Sequence, residues 1–229
     1  MKKGDKKIGL IVAVLGVLIV ASLILFLKPI QNSEEYIIDE SDFVVSNSLV
    51  GNIEKSDLSQ SEIDGLVLMR EEEKLARDVY LTLHEQWGQA IFSNIAESEQ
   101  THTNSVKFLL DRYEIEDPVK DNNIGVFTSD EMASLYNDLV SIGLESQLNA
   151  FIVGATIEDL DIKDLEDLIS GTDNEDIRIV YKNLQKGSRN HLRAYVNQIK
   201  RNGGTYSPQY ISQETYENII SSNQERGIV

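Results

Sequence analysis

The sequence predicts an all-α protein: a four-helix bundle with a long crossover between helices two and three, preceded by one transmembrane helix. Three observations carry this. Apolar residues recur at spacings of three and four along four long stretches, and no alternating strand pattern competes with them. Only three prolines occur, Pro29, Pro118 and Pro208, and each falls between helical stretches, where a missing N–H does least harm. One uncharged run of twenty residues stands near the N-terminus.

That run, from Ile8 to Leu27, would span roughly 30 Å as a helix, the hydrocarbon thickness of a bilayer. Lys2, Lys3, Lys6 and Lys7 precede it, so the positive-inside bias places the N-terminus in the cytoplasm and the main domain outside. The alternative is a cleaved secretory signal with a mature N-terminus near Gln31. Against it, no small-x-small cleavage site follows the run, which is long for a signal. Either way the following domain is exported. Residues 1–28 are read as the anchor, 29–60 as a mobile acidic tether, and 61–222 as the helical domain.

Ser61-Glu62-Ile63-Asp64 reads as a capped helix start. Leu66, Met69, Glu73, Ala76, Tyr80, Leu83 and Trp87 then form one helical face ending near Gly88. A second face runs Phe92, Ile95, Glu99, His102, Val106, Leu109, Tyr113. The two or three residues between these helices make them antiparallel neighbours. A long connection follows to about Gly143, with Pro118 and a short helix from Ser129 capped by Thr128 and Glu131. The third face is Leu144, Leu148, Phe151, Ala155, Glu158, Ile162, Leu165, Ile169. Asp173 is placed to cap a fourth helix with the face Ile177, Tyr181, Leu184, Ser188, His191, Tyr195. A last short helix begins near Ser212.

Composition narrows the chemistry. With no cysteine, disulfides and thiolate metal sites are excluded, and a bound metal must be held by carboxylate, imidazole or carbonyl groups. Formal net charge is −17, and the first 28 residues hold five lysines against one acid, so the remainder is more acidic still. Such a surface repels nucleic acid, and no nucleic-acid partner is expected.

The informative residues are those that interrupt the apolar faces: Glu73, Glu99 with His102, Glu158, and His191. Burying one unpaired carboxylate costs several kcal/mol, and burying several together adds repulsion. Divalent cations remove both penalties. Depth agrees as well. Glu73 lies fifteen residues before Gly88, with Glu99 and His102 eleven and fourteen after it, levels matching within about 6 Å. Glu158 lies fifteen before Asp173 and His191 eighteen after, within about 5 Å. Glu99-Gln100-Thr101-His102 puts a carboxylate and an imidazole on one helical face. Of three consecutive glutamates, the phase favours Glu73 over Glu72. His84 is read as a structural or surface histidine. The tyrosines are read as core aromatics, with Tyr195 the candidate if one is redox-active, and the acidic run 159–167 as a solvated face apart from Asp161. Gly154 and Gly187, inside helices, mark close helix approach.

The segments 69–78 (Met-Arg-Glu-Glu-Glu-Lys-Leu-Ala-Arg-Asp), 98–102 (Ser-Glu-Gln-Thr-His) and 187–195 (Gly-Ser-Arg-Asn-His-Leu-Arg-Ala-Tyr) resemble the ferritin-like superfamily, in particular the domain of unknown function 2202 family. The first is similar to the first-helix ligand segment of ferritins, with Tyr80 and Leu81 seven and eight residues after Glu73. The resemblance implies a ferritin-like bundle and a dinuclear carboxylate site, with iron as the metal and manganese, zinc or calcium as substitutes. The ligands expected are Glu73, Glu99, His102, Glu158, Asp161 and His191; Glu99 is expected to bridge, because its stripe lies between the levels of Glu73 and Glu158, with His102 completing one ion and His191 the other. In one respect the chain departs from the superfamily's pattern. The fourth helix reads Ser188-Arg-Asn-His191, lacking the glutamate usual three residues before the histidine, and Asp161 is the substitute. A ferroxidase or peroxide-reactive protein is one expectation. A non-catalytic surface module holding a redox-inert metal or a protein partner is the other, and a homo-oligomer fits either.

Overall fold

A computed structural model of the chain describes residues 49–229; the transmembrane segment predicted at 8–27 and most of the tether lie outside them. The described residues are helical, with no strand among them. Helix α1 spans Gln60–Trp87, α2 Ala90–Arg112, α3 Asp130–Glu145, α4 Gln147–Gly171, α5 Glu175–Arg201 and α6 Gln213–Ser221. No helix among the described residues is long and apolar enough to cross a membrane.

The start of α1 is a capping box two residues earlier than the sequence suggests. The Ser59 hydroxyl accepts from Glu62 N–H, and the Glu62 carboxylate accepts from Ser59 N–H. The Glu62 carboxylate also accepts from Thr172 Oγ1 (2.6 Å) and Asn174 Nδ2 (2.7 Å), tying this end to the α4–α5 turn. Burial works against its charge, yet these hydrogen bonds hold the carboxyl down at about 2. Gly88 closes α1, and only Gln89 stands between it and α2.

Two boundaries need correction. The connecting helix α3 is sixteen residues long and absorbs Leu144, which stays 42% exposed. The reason is Ser146. Its extended backbone (φ −160°) breaks the run, and its hydroxyl accepts from Asn149 N–H to start α4 one residue on. The cap of α5 is Asn174 rather than Asp173, and Asp173 is exposed because the Asn174 amide is drawn to Glu62.

Helix α1 packs on α2, α4 on α5, α1 on α4, and α2 on α5; α3 lies against both α1 and α4, and α6 against α5. Leu66, Met69, Val106, Leu109, Leu165, Ile177 and Leu184 fill one end of the interior. Aromatic rings fill the other: Phe92 stacks on Phe151 at 5.4 Å, and Tyr80 tilts against Tyr195 at 5.3 Å. The last part of the expected tether is packed. Val50 is wholly buried in the first layer, and Arg112 donates to the Gly51 and Ile53 carbonyls.

Residues 70–80 of α1 are buried on every side, including Arg70, Lys74, Arg77 and Asp78. Each of these charges is paired. Asp78 accepts from Lys74, Arg77 and Gly125 N–H, and Lys74 also donates to the Asn123 carbonyl while lying 4.3 Å from the Phe127 ring centroid. The α2–α3 crossover is thereby fastened over α1. Asp159 corrects the solvated-face reading of the 159–167 run. It is wholly buried, and its carboxylate accepts from Tyr206 Oη and the backbone N–H groups of Gln209, Tyr210 and Ile211, holding the chain between α5 and α6.

Candidate metal centre

The side chains that break the apolar faces meet between the two apolar layers. Glu73 (α1), Glu99 and His102 (α2), Glu158 (α4) and His191 (α5) are all at most 4% exposed. One ligand atom each from Glu73, Glu99 and His102 lie within 4.8 Å of one another, and so do atoms from Glu99, Glu158 and His191. Glu99 belongs to both groups. Its Oε2 lies 2.7 Å from His102 Nδ1 and its Oε1 lies 2.8 Å from His191 Nδ1. The flanking acids repeat the pattern: Glu73 Oε2 is 3.3 Å from His102 Nδ1, and Glu158 Oε2 is 3.3 Å from His191 Nδ1. The imidazoles stack with centroids 5.6 Å apart.

Neighbouring groups set these orientations. His191 Nε2 lies 3.1 Å from Ser98 Oγ, which leaves Nδ1 turned towards the carboxylates. Tyr80 Oη donates to Glu158 Oε1 at 2.6 Å, so Oε2 is the oxygen turned to His191. Tyr80, rather than Tyr195, is thus the tyrosine that touches a carboxylate of the centre. Neither contact is announced by periodicity. Ser98 precedes Glu99 directly, and Tyr80 sits two turns from Glu73 on the same face, which are the signals available in the sequence. His84 takes no part; its Nδ1 lies 3.1 Å from the Gln89 carbonyl.

Asp161 is 3% exposed but joins neither close group. Among the described residues its Oδ2 meets no hydrogen-bond partner, and neither do Glu73 Oε1 and Glu72 Oε2. Ser188 donates its hydroxyl to the Leu184 carbonyl within its own helix, so α5 brings one donor, His191, to the centre.

The electrostatics follow from burial. Desolvation pushes Glu73 up to about 8 and Glu158 up to about 7, against the pull of His102 and His191 respectively. Desolvation also opposes charge on His191, but Glu99 and Glu158 outweigh it and raise the imidazole to about 9; Glu99 and Glu73 raise His102 likewise. Burial would raise Glu99 too, yet the two imidazoles hold its carboxyl below the ordinary range. Without a cation the centre is held together by shared protons, with Glu99 as the charged carboxylate between two imidazoles driven towards their charged form.

Two glycines make room. A Cβ on Gly187 would stand 2.5 Å from His102 Cε1 and 2.6 Å from its Nε2, and one on Gly154 would stand 2.5 Å from the Tyr195 ring. An exposed Gly→Ala change inside a helix would stabilise by about 1 kcal/mol. Gly187→Ala is expected instead to destabilise by about 1–3 kcal/mol, because it crowds a ring pinned by two glutamates. Thermal unfolding of the variant checks the sign.

The chain belongs to the family described as "Uncharacterized protein domain (DUF2202)", which it matches over residues 62–223. It is similar to "Uncharacterized protein MJ0754" of Methanocaldococcus jannaschii, with 58% identity over 179 residues, 78% of this chain and 97% of that protein. Among solved structures, "Crystal structure of hypothetical protein MJ0754 from Methanococcus jannaschii DSM 2661" is similar at a TM-score of 0.75 and 58% identity, covering 76% of this chain and 99% of that one.

Proposed function

We propose that this is a ferritin-like four-helix-bundle protein, exported and membrane-anchored, that holds two iron ions and reacts with dioxygen or peroxide as a ferroxidase or peroxide scavenger. The observation that carries the reading is Glu99, whose two oxygens face two different imidazoles at 2.7 and 2.8 Å, so that one carboxylate can offer an oxygen to each of two cations. The two hairpins α1–α2 and α4–α5, joined by a long crossover, support the ferritin-like class. The Ile8–Leu27 run, outside the described residues, supports the anchor.

The residues fit a dinuclear centre of borderline ions. The donors are oxygens and nitrogens alone, two imidazoles are present, and Glu73 Oε1 is buried without a partner among the described residues. That set suits iron, manganese or zinc better than calcium, which prefers oxygen throughout. Glu73, Glu99 and His102 would hold one ion, and Glu99, Glu158 and His191 the other. When bound, iron supplies one-electron exchange between its ferrous and ferric states. The protein's own part is orientation and proton accounting. Ser98 fixes the His191 ring, Tyr80 fixes Glu158, and the Phe92, Phe151 and Tyr195 rings exclude water from one side.

At pH 7 Glu73 and both imidazoles hold protons that a cation must displace. Cation binding is therefore expected to release protons, and affinity to rise with pH towards about 9, where His191 gives up its proton. Calorimetry in buffers of different ionisation enthalpy measures the protons released. Zero release would contradict this charge state.

The functional test is ferrous iron added anaerobically to the metal-free full chain, followed by air. Iron oxidation, followed by ferric absorbance in the near ultraviolet, is expected to outrun that in buffer, and protein purified without chelators or a histidine tag is expected to carry iron. Oxidation no faster than buffer, with zinc or calcium in the purified protein, would favour the non-catalytic surface module.

A further inference from the structure

Glu72 has no part in the centre, yet it is 5% exposed and its Oε2 meets no hydrogen-bond partner among the described residues. Such a group costs several kcal/mol to bury, and no donor among the described residues meets Oε2. The packing register shows what it faces. Gly65 on α1 meets Leu168 on α4, while Tyr80 further along α1 bonds to Glu158 and Gly154. The two helices therefore run antiparallel, and Glu72 falls level with Asp161 and Asp164. Asp161 is another buried carboxylate with an oxygen lacking a partner among the described residues. Asp164, one turn further out on the same side of α4, is half-buried and reaches towards solvent. Charge coupling agrees with this order. After burial itself, Asp164 and then Glu73 push the Glu72 carboxyl up most, and Glu73, Glu158 and Glu72 do so for Asp161. Helix α3, lying against both α1 and α4, begins level with Glu71, where Ser129 N–H meets the Glu71 carboxylate, and runs towards Trp87. Its N-terminal end therefore stands close to the Glu72 level, and it does not continue along α1 towards Gly65.

We propose that Glu72, Asp161 and Asp164 line an approach between α1 and α4 by which divalent cations reach the buried pair of sites. The occupant is a cation, because the lining oxygens are carboxylates and the unpartnered ones point to no donor of the protein. Asp164 draws the ion in, Glu72 and Asp161 exchange its hydration shell for oxygens, and Glu73 receives it. The proposal rests on the two-cation reading of the centre. It assigns Asp161 to delivery, in keeping with its place outside both close ligand groups.

The test is stopped-flow loading of the metal-free full chain with cobalt(II), read by visible absorbance, with the end-point counted as cobalt per chain. Asp164→Asn, at a half-buried position, and Glu72→Gln are each expected to slow loading about tenfold or more while the end-point stays at two. Glu97→Gln, which removes an exposed charge on α2, is expected to load at the wild-type rate. Loading of both approach variants at the wild-type rate overturns the proposal and leaves the two-cation centre intact. A fall in their end-point also overturns it, by making these residues ligands. A wild type that binds no cobalt removes the two-cation reading, and the approach with it.

Discussion

Glu99→Ala is expected to empty both cation positions, whereas Glu73→Ala and Glu158→Ala each empty one. The asymmetry follows from the shared carboxylate. Glu73 faces His102 alone and Glu158 faces His191 alone, but Glu99 presents one oxygen to each imidazole. Loss of a partner outside the ligand shell costs about 10–100-fold in metal affinity, so loss of a shared ligand should exceed about 100-fold at both positions. The variant also leaves two buried imidazoles without the carboxylate that does most to keep them charged. Metal counting on protein loaded with manganese or zinc reads the effect without reference to catalysis. If Glu99→Ala retained one tightly bound ion, Glu99 would be a terminal ligand and the centre two separate sites.

The largest expected effect on stability lies away from the centre, at Asp78. Its carboxylate is wholly buried and satisfies Lys74, Arg77 and the Gly125 N–H together. Asp78→Ala strands the Lys74 ammonium, itself wholly buried, with the Asn123 carbonyl and the Phe127 ring as remaining neighbours. Breaking a buried pair by removing one partner costs about 3–5 kcal/mol. For a domain of this size that lowers the melting temperature by about 10 °C. The second change Lys74→Met should return part of the loss, because an apolar stem needs no counter-charge. Hydrogen exchange should show the 121–127 segment opening first, since Asp78, Lys74 and the Arg77 guanidinium that Asp78 orients hold it to α1.

How much of this could be read in the sequence depends on what periodicity measures. A helical face shows which residues point inward together, so Glu73, Glu99, His102, Glu158 and His191 were legible as one level of the interior, and the structure brings them within ligand distance of their neighbours. Periodicity assumes that the other face meets solvent. That fails for α1 between residues 70 and 80, which is enclosed by α2, α4, α3 and the crossover. Lys74 and Asp78 lie off the apolar stripe and look like surface residues until that enclosure is seen. Asp159 was missed for the same reason. In sequence it is one acid of a run, and only the return of residues 206–211 across α4 buries it. Helix ends differ by one or two residues where neighbouring polar residues offer alternative starts, as at Ser59 against Ser61, or where a tertiary contact decides, as at Asn174, whose amide bonds to Glu62.

The central claim is that Glu99 joins two cations at one level of the helical interior. Anomalous diffraction from crystals of the chain soaked with ferrous iron, recorded at the iron edge, tests it most directly. Two peaks about 4 Å apart are predicted, one on the Glu73–His102 side of the Glu99 carboxylate and one on the Glu158–His191 side. A single peak, or peaks that do not contact Glu99, would contradict it.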